Sequence, residues 1–415
     1  MARNEPLSKG EKRLLIASIA FVIAAGAIGY GFYSINVNPV VKIPEPTMPS
    51  PNARDVYMAA QGLMVYTMNV GTGPSGYSLS IDDVYGSIQA GKIVPNPKRP
   101  GTPVPKLADM QALTAMNAPV FNMVRQGFAC EYRETPARSF SQLFPHYSKL
   151  RSMARVMRAD GDVKCVSGDW DGGAERFIDI MRVGNDIPRG GVLIAGLVGV
   201  AIQAIGREDA WDTVDHVSAA GARRAARRLE AMAATRVSYA DVLQEEEWAG
   251  QAGLLEMFNT PRWRTQFIPM LAANSGSGPG TAAFALRIQT ASKRTIMANY
   301  TRYMDTLIAN ERNPSAAKPL PAPTDPVSSM LVPVFAKAKS KFVTAESEHN
   351  RLLLAYALRA YKLEHGAYPK SLNALAPAYL KAVPADPAAP GGTFQYARTG
   401  DSYTLSGAGE AGVKP

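Results

Sequence analysis

Cysteine and histidine are scarce in this chain, and their scarcity removes whole classes of chemistry. Two cysteines, Cys130 and Cys165, cannot build a disulfide-rich scaffold or a cysteine-cluster zinc site. The two are either bridged or free, and their spacing fits both. Four histidines, His146, His216, His349 and His365, are the only side chains whose ordinary titration falls near neutral pH. No G-x-S-x-G, H-E-x-x-H or Walker loop is present, so the hydrolases, metalloproteases and nucleotidases built on them have no foothold. Glu346 and His349 form one Glu-x-x-His, but a di-iron bundle needs a second copy on a facing helix. A structural role is therefore expected for His349. Asp212, Asp215 and His216 read as the charged first turn of a helix rather than a catalytic group. No catalytic residue, metal ligand or cofactor site is expected.

What the chain does contain is one long apolar run. Leu14 to Tyr33 carries no charge over 20 residues, enough to cross about 30 Å of hydrocarbon at about 1.5 Å per residue. Arg3, Lys9, Lys12 and Arg13 precede it and no basic residue follows before Lys42. The positive-inside rule then puts the N-terminus in the cytoplasm and the bulk outside the inner (cytoplasmic) membrane. The competing reading is a cleaved signal peptide with Ala25-Gly26-Ala27 as its processing site; the length of the run favours an anchor. A second uncharged stretch, 191–206, is short and flanked by Arg189 and Arg207, so it reads as a core helix packed through Ala195, Gly196 and Gly199.

Proline marks the joints. The expected layout is a cytoplasmic tail 1–13, an anchor 14–34, a proline-rich spacer 35–53, a helical body 54–312, a proline-rich linker 313–326 and an α+β module 327–415. Apolar residues make up 46% of the chain, which excludes global disorder. In the body, Leu150, Met153, Ala154 and Met157 recur at helical spacing, with Arg151, Arg155 and Arg158 opposite them. An amphipathic helix is expected over 212–235, with Arg223, Arg224, Arg227 and Arg228 on one side as a solvated face. A Gly/Ser loop is expected at 274–281. Near the C-terminus, Phe342, Ala345, His349, Leu352, Tyr356, Ala360 and Leu363 share one helical face, Gly366 and Pro369 stop the helix, and Arg398-Thr399-Gly400-Asp401 turns a hairpin.

Two segments carry resemblances. Tyr361, Gly366-Ala367-Tyr368-Pro369, Leu372, Leu375, Tyr379-Leu380, Pro384-Ala385-Asp386-Pro387, Tyr396 and Tyr403 resemble the type II secretion major pseudopilin, which implies a long helix followed by a small antiparallel hairpin. Gly407 to Glu410 replaces that family's calcium-binding aspartates, so calcium is not expected. The run 168–188 resembles the second half of a tetratricopeptide repeat, with Gly161 on the small position of its first helix and Phe177 on the aromatic position of its second. The whole layout resembles bacterial single-pass, membrane-anchored envelope proteins. A mainly α fold is expected: a transmembrane helix, an extracytoplasmic helical body and a pilin-like α+β module.

The net charge of +10 favours anionic surfaces. The expected partners are the membrane and envelope proteins, with an anionic envelope polymer as a further option and no nucleic acid. Arg223, Arg224, Arg227, Arg228, Tyr368, Tyr379, Tyr396 and Tyr403 are the candidate interaction surface. The expected role is non-catalytic interaction or scaffolding in the envelope. The alternatives are an accessory of a type II secretion or pilus-like assembly, and an envelope hydrolase working through carboxylates.

Overall fold

The computed structural model describes residues 9–71, 76–89, 91–265, 287–322, 325–331 and 334–408. Residues 1–8, most of the expected Gly/Ser loop's surroundings including 274–281 itself, and Gly409-Glu410 lie outside the described residues. In chain order the helices are α1 (Lys9–Asn36), α2 (Ala53–Gly62), α3 (Ile81–Gly86), α4 (Leu107–Ala115), α5 (Ala118–Gly127), α6 (His146–Val166), α7 (Trp170–Asp186), α8 (Leu193–Thr213), α9 (Ala219–Ala234), α10 (Tyr239–Asn259), α11 (Lys293–Arg312), α12 (Pro326–Leu331) and α13 (Val334–His365). Three antiparallel hairpins accompany them: β1 (Thr67–Val70) with β2 (Tyr77–Ser80), β3 (Ile88–Gln89) with β4 (Lys92–Ile93), and β5 (Gln395–Thr399) with β6 (Ser402–Ser406). The described residues are thus mainly α, and they form two compact units.

The first unit comprises Glu45–Ala137, Ser141–Glu246 and Val334–Pro415. Leu150, Met153, Ala154 and Met157 are buried, as their spacing predicts, and α6 turns back as α7 so that Gly161 lies directly on the Phe177 ring. Backbones approach most closely between α7 and α8. A Cβ at Gly184 would come 2.7 Å from the Gly199 carbonyl oxygen, and one at Gly199 2.6 Å from that of Gly184. Only glycine fits such a crossing. The uncharged 191–206 stretch therefore leads into and forms the first part of α8, with Ala195, Gly196, Val198, Gly199, Ile202 and Gly206 buried.

Three expectations change. The helix expected over 212–235 is two helices, because Ser218 caps α9 and its amide and hydroxyl reach back to Asp171 at 2.9 and 2.6 Å. Asp212 consequently ends α8 instead of opening a helix. Helix α13 is not apolar on one face only: Leu352 to Leu358 are all buried, since α8 and α9 cover one side and the tail covers the other, while Leu363 is 43% exposed. A helix buried all round belongs to a core. Accordingly the tail is not a separate module behind the 313–326 linker. That linker is bound to the second unit, where Asn310 brackets Lys318 through two 2.8 Å hydrogen bonds, and the chain changes unit at Pro333.

The tail closes over α13 in steps the sequence foreshadows. Gly366 adopts φ +77° and its amide donates to Lys362, ending the helix in the left-handed conformation glycine permits. Asp386, fully buried, accepts from Ser347 Oγ at 2.7 Å and from the Ala388 and Ala408 amides at 2.9 Å each. The β5–β6 hairpin sets Tyr396 opposite Leu405, and Tyr403 meets Tyr368 edge to face at 4.7 Å.

The second unit comprises Met1–Pro44, Arg138–Phe140 and Glu247–Pro333. Ile16–Asn36 within α1 is, among the described residues, the one helix long and apolar enough to cross a membrane, and none of its most apolar stretch is buried among them. Its exit is fixed: Arg264 Nη1 donates to Asn36 Oδ1 at 2.8 Å, and Lys293 Nζ donates to Asn38 Oδ1 and the Phe258 carbonyl at 2.7 Å each.

Candidate ligand-binding cleft

A cavity of about 350 Å³ opens in the first unit between the α3–β4 arm and helices α6, α7 and α8. The arm is set by a capping box at Ser80 and Asp83, with Arg99 on Asp83 at 2.7 Å, and it brings Tyr85 and Gly91 to the cavity wall. Helix α6 contributes Arg158, Asp162 and Cys165, α7 contributes Trp170 and Phe177, and α8 contributes Asp209 and Asp212. Successive residues one turn apart on α6 and on α8 thereby point their charges into the same space.

Arg158 organises the polar wall. It contacts Asp209, donates to the Tyr85 hydroxyl at 2.9 Å and stacks its guanidinium 4.2 Å from the Tyr85 ring centre. Asp162 lies 3.9 Å from Arg158 and accepts no hydrogen bond among the described residues, although it is only 9% exposed. Trp170 is held by His216, stacked at 3.9 Å, and by Gly91, where a Cβ would stand 2.8 Å from the indole.

The carboxyl groups are pushed toward their neutral forms. Burial raises Asp209 to about 7, repulsion from Asp212 and Glu208 adds to it, and Arg158 opposes it. Burial likewise raises Asp162 well above the usual carboxylate range, with Asp209 and Asp212 adding. Asp212, exposed at the rim, is raised by the hydration it loses on its cavity side. Burial also raises the Cys165 thiol, which keeps it protonated and unreactive at neutral pH. No group of three or more His, Cys, Asp or Glu side chains among the described residues is placed to hold a metal ion.

The candidate interaction surface is dispersed by the structure. Arg223 forms a bidentate bridge to Glu364 at 2.5 and 2.6 Å, Arg224 bonds Glu175 at 2.9 Å, and Arg228 reaches buried Asp179 at 2.6 Å. Only Arg227 of the four is exposed without an acid, donating to its own helix at Arg223. The arginines are thus ties between α9, α7 and α13 rather than a free solvated face. Tyr368, Tyr379 and Tyr403 are buried, and Tyr396 is half-buried with its hydroxyl on the Pro369 carbonyl at 2.7 Å. Their amphipathic rings serve the core. Cys130 and Cys165 are both free thiols. Glu346 pairs with Arg236 at 2.8 Å, and His349 is buried against the Leu229 carbonyl, the structural place expected for it.

Two features escaped the sequence reading. The cleft pairs Arg158 with Asp162 and Asp209 with Asp212, each one turn apart on its own helix, and that spacing was the available signal. Gly71 to Gly76 has the Gly-x-Gly-x-x-Gly spacing, but it joins antiparallel β1 to β2 instead of opening a helix, so the dinucleotide-loop context is missing. Comparison of the chain with known protein families, curated proteins and solved structures finds no match.

Proposed function

We propose that the chain is a membrane-anchored envelope protein that works by binding and scaffolding, without catalysis. Helix α1 anchors it in the inner membrane with the N-terminus in the cytoplasm, and the folded chain beyond Asn36 lies outside. The basic residues before the apolar run and their absence after it support that orientation.

The observation that carries the binding reading is the placement of Arg158. Its guanidinium touches Asp209 and lies 3.9 Å from both Asp162 and Glu208. A carboxylate hydrolase needs two acids free to act on opposite sides of a bond. An arginine fixed among them suits recognition instead. The secretion or pilus accessory role loses support for a different reason, since it needs an exposed docking face on the tail and three of the four tail tyrosines are buried.

The test uses the purified full chain in detergent. A thermal-shift screen against small amines, sugars and short peptides is expected to find a stabilising ligand whose effect is cancelled by Trp170→Ala. Incubation with cell-wall polymer is expected to release no soluble fragments. Release by the wild type and not by Asp209→Asn would replace the binding reading with the hydrolase.

A further inference from the structure

We propose that the cleft is a binding site for a small primary alkylammonium ligand, a diamine or polyamine held by Asp162, Asp209 and Asp212. The inference names a ligand class for the binding reading above and rests on it.

Two carboxyl groups at the cavity lack a hydrogen-bond donor among the described residues, and Asp162 has only the Arg158 guanidinium at 3.9 Å. Asp162 is 9% exposed, lines the cavity and accepts no hydrogen bond among the described residues, and Asp212 at the rim accepts none either. A buried carboxylate without a donor is costly, and an ammonium group supplies three N–H donors with a compensating charge. The lining cations do not meet that need. Arg158 is committed to Asp209 and Tyr85, and Lys98 is exposed at the mouth, 6.0 Å from the Tyr85 ring centre.

Size and spacing decide between cations. The acids do not converge as a metal site, so a bare ion cannot satisfy them together. A chain carrying two or more ammonium groups reaches carboxylates on both α6 and α8, and a cavity of about 350 Å³ has room for its methylenes along Trp170 and Phe177. The indole adds a cation–π wall.

The cleft also fixes the direction of the pH dependence. Asp209 shares the cavity with Arg158, Asp162 and Cys165 from α6, Asp212 from its own helix, Tyr85 from α3 and Lys98 from the loop beyond β4, with Glu208 beside it and His216 acting on Asp212. Of these groups Asp209, raised to about 7, gains its proton as pH falls through neutrality, while an alkylammonium stays charged. Binding is therefore tighter at pH 8 than at pH 6.

Calorimetric titration of the full chain in detergent with putrescine and spermidine tests the proposal. Measurable binding is expected, weakened about tenfold or more by Asp162→Asn and by Asp212→Asn, and unchanged by Asp401→Asn on the β5–β6 turn. Asp162→Asn is also expected to leave the melting temperature of the ligand-free chain close to that of the wild type, because burial already favours the neutral carboxyl that the amide imitates. Asp212 is exposed, so its variant reads binding even if the buried variant misfolds. No binding up to about 10 mM amine, or affinity untouched by both cleft variants, overturns the assignment. Stabilisation by a neutral sugar in place of the amines would overturn the amine and leave the binding reading standing.

Discussion

His349 is 1% exposed and donates from Nε2 to the Leu229 carbonyl 2.9 Å away. Burial pushes its imidazole down to about 3, with Arg236 and Arg207 adding. In the unfolded chain the same group titrates near 6.5. Below that pH the unfolded state takes a proton that the native state refuses, so the stability from neutral His349 is complete above about 6.5 and drains away as pH falls toward about 3. At the acid end the loss is on the order of 5 kcal/mol. Thermal melts across this range should show a steep acid decline that is flatter in His349→Gln. Parallel declines would contradict the role. Asp386 is the matching acid: burial alone would raise it, but the Ser347 hydroxyl and two amides hold it below its ordinary value. Asp386→Ala should cost about 3 kcal/mol in denaturant unfolding, from orphaned donors that pin the tail. Helical spacing placed His349 inside correctly. The tail tyrosines, read as a candidate interaction surface, are buried or half-buried, because a tyrosine's apolar ring and polar tip suit core and rim equally.

Between elements, the α7–α8 crossing depends on two glycines with no room for a side chain. Gly199→Val should destabilise by about 3 kcal/mol or more, since the obstacle is the Gly184 carbonyl and not a movable side chain. A neutral result in chemical denaturation would mean the helices do not approach so closely. Arg223→Ala removes the bridge to Glu364 and the stacking on Tyr379 at 4.0 Å. With both charges about one-third exposed, the expected loss is only about 1 kcal/mol. Elements with strong local grammar were legible: the apolar α1, the α6–α7 hairpin, the Gly366 stop and the β5–β6 turn. The break between α8 and α9 was not, because it is made by Asp171, which lies far away in sequence and meets Ser218 only after folding. The cleft was hidden for the same reason, its acids coming from α6 and α8 and its aromatic wall from α3 and α7.

At the scale of the molecule, proline content suggested a boundary at 313–326, whereas packing places the change of unit at Pro333 and returns the tail to the core of α6 to α9. Composition marks where a chain is extended, and only packing shows which surfaces it joins. A chain ending at residue 333 should therefore aggregate or lose cooperative unfolding, because the faces of α8 and α9 that meet Leu352 to Leu358 would be left in water. A soluble, cooperatively melting truncation would show the tail to be dispensable. The exposed helix α1 bears on the central claim, that a binding unit is held outside the membrane by an uncleaved anchor. The most direct measurement is a reporter fused after Pro415, one version active only outside the cytoplasm and the other only inside, followed in intact cells with the size of the membrane-bound product. Envelope-side placement predicts activity of the outside reporter on a full-length, membrane-bound chain. Activity of the inside reporter, or a shortened chain released from the membrane, would contradict it.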